Sequence, residues 1–290
     1  MHPGPRDIPM LIRLGYDLQF DLPAPVSFVA MLNVHPSRAS DLREPDQMHI
    51  EPSIPCETYI DSFGNICARF DAPAGTLTLK NQTLIEDSGE PDPIEPTAVE
   101  HPIREIPSDV LRYLMSSRYC EVDRLSHAAL DLFGHLPPGW SRVHAVCTWV
   151  HDKVVFGYQH ARSTKTALDV FTERQGVCRD FQHLAITFCR ALNIPARYAT
   201  GYLGDIRIDI PWSPMDFSAW FEVYLSGRWW TFDARHNIPR VGRVLMAVGR
   251  DASDVAITTS FGIANLTRFT VISDEVPEEA APSQLLSGQN

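Results

Sequence analysis

Between Leu11 and Leu22 the chain reads LIRLGYDLQFDL, with apolar side chains at Ile12, Leu14, Tyr16, Leu18, Phe20 and Leu22. A repeat of two puts all six on one face of an extended chain and would scatter them around a helix. The run predicts a half-buried strand, which needs partner strands to satisfy its backbone. VSFVAMLNV and TLTLKNQTLI continue the pattern, and YIDSFGNICARF reads as two strands joined around Gly64-Asn65, a hairpin signal. Residues 10–85 are therefore expected to form a small, antiparallel, β-rich N-terminal domain.

From Glu86 to Asp109 the chain is rich in proline and acid, EDSGEPDPIEPTAVEHPIREIPSD, and loses apolar periodicity. This composition predicts an extended linker over residues 86–109. No internal repeat is evident. Residues 110–273 then follow as a second domain. There SRVHAVCTWVHDKV carries Val143, Val146, Cys147, Val150 and Val154 at helical spacing, with Ser141 as the expected N-cap. TKTALDVFTERQG reads as a short helix closed by Gly176. A helix from Cys178 would bury Phe181, Leu184, Ala185, Phe188 and Leu192, and Asn193 and Pro195 would stop it. ARYATGYL, SAWFEVYL and RWWTFDA read as strands, the last two joined by a turn at LSGRW. Helices followed by antiparallel strands make this an α+β domain. Residues 274–290, rich in acid and proline, are expected to be a flexible tail.

The net charge of −11 argues against nucleic acid or an anionic membrane as the main partner, because both reward basic patches. No apolar run reaches the roughly 20 residues of a membrane helix. The opening MHPGPRDIPM has no apolar h-region, so a cytoplasmic location is expected. The six cysteines are scattered with no C-x-x-C pair, which predicts neither a zinc site nor a disulfide framework. No glycine-rich phosphate loop is present, and no metal or cofactor is expected. Asp251 and Asp254 in GRDASDVAITTSFG are too few for a calcium loop and read as a helix cap or structural loop. Of Trp212, Trp220, Trp229 and Trp230 around the hairpin, some must be core and some can line a groove.

Cys178 stands where a glycine turn becomes a helix. A thiol there meets unsatisfied N–H groups and the positive end of the helix dipole, which favour thiolate and can hold an oxyanion. The competing reading is a small buried core residue, the commonest fate of a free cysteine.

GVCRDFQHLAITFCRALNIPARYATGYL resembles the cysteine motif of the transglutaminase-like superfamily, and DFSAWFEVYLSGRWWTFDARHN is similar to its second and third motifs. The similarity spans roughly residues 10–270. It implies a papain-like core, with helices packed on an antiparallel sheet, preceded by a β-rich N-terminal region. It also implies a Cys178 nucleophile and an orienting Asp233. The family's histidine stands directly before the AW, where this chain has Ser218.

With Ser226-Gly227 as a two-residue turn, Leu225 pairs with Arg228, Trp220 falls opposite Asp233, and Ser218, Trp220 and Asp233 share a face. A serine hydroxyl can relay a hydrogen bond but cannot hold a proton near neutral pH. Losing the base of such a triad costs on the order of a million-fold in rate by analogy with proteases. His236 and His160 are the candidate substitute bases, and His183 is a third histidine near the motif. His236 would lie opposite Asp233's face in a continuous strand and needs a bulge to reach the site. His160 sits in a loop that could lend it. His183 is about 500° round the helix from Cys178. Arg179 could hold a thiolate but could not protonate a leaving group.

Two functions follow. One is a cysteine-dependent peptidase, amidase or acyltransferase acting on a peptide or protein amide through a Cys178 thioester, with Trp220 against the substrate. The other is a catalytically impaired peptide-binding or scaffold protein. Oligomeric state is not legible.

Overall fold

The computed structural model describes residues 10–208 and 215–277. The strands are β1 (Met10–Leu22), β2 (Val26–Ala30), β3 (His49–Glu51), β4 (Cys56–Ile60), β5 (Ile66–Ala72) and β6 (Gly75–Asp87). Helices α1 (Val122–Phe133) and α2 (Trp140–Lys153) follow, then the short β7 (Val155–Phe156), α3 (Ala167–Glu173), β8 (Gln175–Gly176) and α4 (Cys178–Ala191). The chain continues through β9 (Ala196–Leu203), β10 (Ser218–Leu225), β11 (Arg228–Phe232), β12 (Arg243–Gly249), β13 (Thr258–Ser260) and β14 (Asn265–Glu275).

The six alternating apolar residues of β1 are all buried, each contributing roughly 1.5–3 kcal/mol of transfer free energy. β1 pairs with β6 along all thirteen residues, in the sheet order β14-β1-β6-β3. A second sheet, β13-β2-β5-β4, lies against it, and Phe20 meets Phe28 at 5.6 Å between the two layers. The Gly64-Asn65 hairpin forms as expected, with Gly64 at φ 90. Buried Asn65 also exchanges two 2.8 Å hydrogen bonds with the Val248 backbone, pinning the hairpin tip to β12.

The expected domain boundaries need correction at the C-terminal end. β13 pairs with β2 and β14 with β1, so residues 258–275 belong with the N-terminal sheets. A thirteen-residue β1 flanked only by β6 would leave a long row of unpaired backbone groups. β14 closes that edge, and residues 274 and 275 are strand rather than tail. The rest of the expected tail, from 278 onward, lies outside the described residues, as does Trp212.

The third sheet, β11-β10-β9-β12, is antiparallel. One face carries α4, whose Phe181, Leu184, Ala185 and Phe188 pack with Ala219, Phe221 and Val223 of β10. Tyr202, Val244 and Met246 on the other face join the core of the N-terminal sheets. The papain-like α+β arrangement is therefore present, with the β-rich unit buttressing its sheet from behind. The Ser226-Gly227 turn has both residues at positive φ, 49 and 80, the geometry that matches the twist of a tight hairpin.

Several boundaries fall elsewhere than expected. α2 begins at Trp140 after Gly139, so Ser141 lies in its first turn and is not the cap. Gly139 has φ 94, and a Cβ there would collide with the Ala98 carbonyl. α3 is opened by Thr166 in a reciprocal capping box with Asp169, and it ends at Arg174 in the left-handed region rather than at Gly176. The 86–109 segment is extended and fastened down. Trp140 N donates to Ala98 O at 3.0 Å, and Val99 exchanges hydrogen bonds with Ser226.

Candidate active site

Cys178 is the first residue of α4 and is half-buried. Val177 is extended, and the Asp180 carboxylate folds back to accept its N–H at 2.9 Å. Gly176 makes room for this: a Cβ there would stand 2.6 Å from Asp180 Cβ. The backbone N–H of Arg179 is directed at the Cys178 sulfur. Burial nevertheless pushes the Cys178 thiol up to about 11, only partly offset by the Arg235 guanidinium. The Arg179 side chain does not stabilise the sulfur. It bonds the Arg162 carbonyl at 2.7 Å and lies over the Tyr119 ring. At rest Cys178 is thus a thiol, and a nucleophilic role for it requires a base.

β10 and β11 follow the expected register from Leu225↔Arg228 to Phe221↔Phe232, and there the ladder stops. Asp233 is the first residue past β11. Its Oδ1 accepts the N–H groups of Arg235 at 3.0 Å and His236 at 3.2 Å, and its carbonyl accepts that of Asn237 at 2.8 Å. This is a turn built by an aspartate bonding the backbone ahead of it. It reverses the chain and returns the His236 ring to Asp233, with Nδ1 at 2.8 Å from Oδ2. The continuous-strand expectation that kept His236 away is therefore corrected: a turn, with no bulge, makes the approach.

Asp233 is almost fully buried. Burial alone would raise its carboxyl, but the Arg243 guanidinium at 3.0 Å and the His236 ring hold it well below the usual carboxylate range. Gln182 of α4 donates to Asp233 Oδ1 at 3.0 Å and accepts Ala234 N at 3.1 Å, clamping the cysteine helix to the turn. An ionised Asp233 accepts from Nδ1, so the proton of a neutral His236 sits on Nδ1 and Nε2 keeps its lone pair.

Two cavities meet at Cys178. One, of about 150 Å³, is lined by Cys178 and His236 together with Asp205, Asp216, Arg235 and Arg240. The other, of about 350 Å³, has Tyr198, Val255, Ile257 and Phe269 on its walls beside Arg179, and shares Asp216 and Phe217 with the first. Ser218 lines both and is buried. Cys178, Ser218 and His236 are thus brought together around one space, with Asp233 behind the histidine.

The other expected site residues are not. Trp220 is buried on the opposite side of the sheet among Ala199 and Val248, beneath Arg243, and lines neither cavity. Its substrate-binding role is corrected to packing, because side-chain alternation turns it from the helix face. His160 bonds Gln159 and lines neither cavity. His183 is fully buried beside Tyr119, accepts Ala252 N at 3.1 Å, and has its pKa lowered by burial. Asp251 and Asp254 follow the structural-loop reading and cap no helix: Asp251 accepts the N–H groups of Tyr119 and Ser253, and Asp254 that of Arg250. Sequence reasoning missed Gln182, Arg235, Arg240 and Arg243. The dense arginines of DARHNIPRVGR were the only signal for the last three, and Gln182 had none.

The family model of the transglutaminase-like superfamily matches residues 129–234. A solved structure from Cytophaga hutchinsonii, described as a candidate cysteine protease, is 30% identical, with a TM-score of 0.79 over 94% of this chain and 93% of that one. An uncharacterised protein of Mycobacterium leprae (strain TN) is 27% identical over 204 residues, 68% of this chain and 73% of its own. With its cysteine-headed helix, antiparallel sheet and matched motifs, the chain belongs to the transglutaminase-like superfamily.

Proposed function

We propose that the chain is a cysteine-dependent amide hydrolase or acyltransferase in which Cys178 is the nucleophile, His236 the base and acid, and Asp233 the group that orients it. The 2.8 Å contact between His236 Nδ1 and Asp233 Oδ2, with His236 and Cys178 on one cavity wall, carries the proposal. His236 Nε2 takes the Cys178 proton as sulfur attacks the amide carbon. The N–H groups at the start of α4 hold the oxyanion. The C–N bond then breaks, the proton passes from Nε2 to the leaving amine, and a thioester remains. Water attacks the thioester with its proton accepted by Nε2, releasing a carboxylic acid and restoring the thiol. An amine in place of water gives transamidation.

Ser218 then needs no catalytic role, because the imidazole enters from the end of the next strand. Among the described residues no hydrogen bond joins Cys178 Sγ to an imidazole, and the thiol is raised. Both facts favour the second reading, a peptide-binding protein. Catalytic hydrogen bonds often tighten only with substrate bound.

The test is hydrolysis of a pool of acetylated peptides, read by mass spectrometry. The proposal expects product formation that disappears in Cys178→Ala and His236→Gln and persists in Ser218→Ala. Peptides that bind but are never cut by the wild type would support the binding role instead.

A further inference from the structure

Arg240 is 2% exposed, yet its guanidinium makes little use of its donors. Nη2 bonds the Gly204 carbonyl at 2.9 Å, Nε is buried without a partner, and no hydrogen bond from Nη1 is found among the described residues. Among the described residues the nearest carboxylate, Asp205 at 3.6 Å, is beyond hydrogen-bond distance and is itself 45% exposed. A buried cation with unmet donors is costly unless something supplies acceptors. Arg240 lines the smaller of the two cavities at Cys178.

We propose that this cavity is a carboxylate subsite for the leaving group, so that the preferred substrates end in a free carboxylate one or two residues beyond the scissile amide. The inference rests on the catalytic roles assigned above. His236 lines this cavity and not the larger one, and the leaving amine must sit where His236 can protonate it. The acyl side then occupies the larger cavity, against Ile257 and Phe269. The charged groups facing the smaller cavity are Arg235, Arg240, Asp205, Asp216 and His236. Burial raises the Asp216 carboxyl, and Arg235, its charged neighbour, draws it partly back down. Arg235 is only partly buried and lies over the Phe156 ring at 3.9 Å, so Arg240 is the fully buried cation with open donors, and a guanidinium fork matches a carboxylate by two parallel hydrogen bonds.

The test uses the Cys178→Ala protein, which cannot turn substrate over, and one pool of acetylated tripeptides prepared both as free acids and as carboxamides. Retention after ultrafiltration is read by mass spectrometry. Acid forms should be retained at least about tenfold over amides, the effect of one charge-assisted pair. Arg240→Gln in that background should abolish the preference. Asp205→Asn, at a half-exposed position, should strengthen it by removing a competing carboxylate. Equal retention of acids and amides, or retention of neither, overturns the subsite. Acid preference with no Cys178-dependent hydrolysis in the wild type keeps the subsite and removes the hydrolase reading. Hydrolysis at equal rates for acids and amides does the reverse.

Discussion

Replacing Asp233 by asparagine separates geometry from charge at the site. Oδ1 accepts three donors, from Gln182, Arg235 N and His236 N, so the asparagine oxygen must take that position. Its NH2 then occupies the place of Oδ2 and faces two donors, Arg243 Nη2 and His236 Nδ1. Arg243 keeps Asp92 at 2.8 Å, so one charge-assisted bond is lost there outright. The imidazole can re-pair only by accepting at Nδ1, which moves its proton to Nε2. Losing the Arg243 bond and weakening the His236 bond should cost about 3 kcal/mol, since charged hydrogen bonds contribute about 1.5–3 each. Moving the proton to the atom that must act as base should lower turnover by about four orders of magnitude, as the same change does in serine proteases.

Urea unfolding at pH 7 reads the first effect, and peptide hydrolysis by the same folded sample reads the second. The stability difference should also depend on pH. Asp233 has a folded-state pKa far below its unfolded value of about 3.9. Its contribution is therefore complete above about pH 5 and declines as pH falls below the unfolded value toward the folded one. The gap between wild type and Asp233→Asn should narrow below about pH 4. Turnover within tenfold of wild type in a folded Asp233→Asn protein would refute the proton placement, and with it the role of His236.

The remaining predictions are simpler. Ser218→Ala should keep hydrolysis within about threefold, whereas His236→Gln should lose about 10²–10⁴-fold, the usual worth of a positioned acid–base group. Gly139→Ala should destabilise by about 1–3 kcal/mol in thermal unfolding, because alanine at φ 94 is strained and its Cβ meets the Ala98 carbonyl.

What the sequence made legible was local. The β1 alternation, the Gly64-Asn65 and Ser226-Gly227 turns and the apolar stripe of α4 each depend on neighbours within a dozen residues, and each is found where expected. β14 was not legible because its partner, β1, lies some 250 positions away, and residues 265–273 read as the end of the second domain until that pairing places them in the N-terminal sheet. The Cys178 and Asp233 positions were visible in the motifs. His236 could be read as a substitute base only by way of a bulge, because a register argument holds only while the strand lasts, and Asp233 ends it by bonding the backbone of Arg235 and His236. Arg240 and Arg243 could be read as charges, but their burial follows from how the loop after the turn packs against β9 and the linker.

The central claim is that His236 is the base for Cys178, and the most direct measurement is the rate of Cys178 alkylation by iodoacetamide. Peptide mapping separates it from exposed Cys56. Wild type at pH 7 should react at least about a hundredfold faster than His236→Gln, since a thiol pushed up to about 11 has almost no thiolate of its own. The two proteins should converge above about pH 11, where the thiol ionises unaided. Equal rates at pH 7 would mean that His236 does not serve Cys178, and would leave the fold as a binding scaffold.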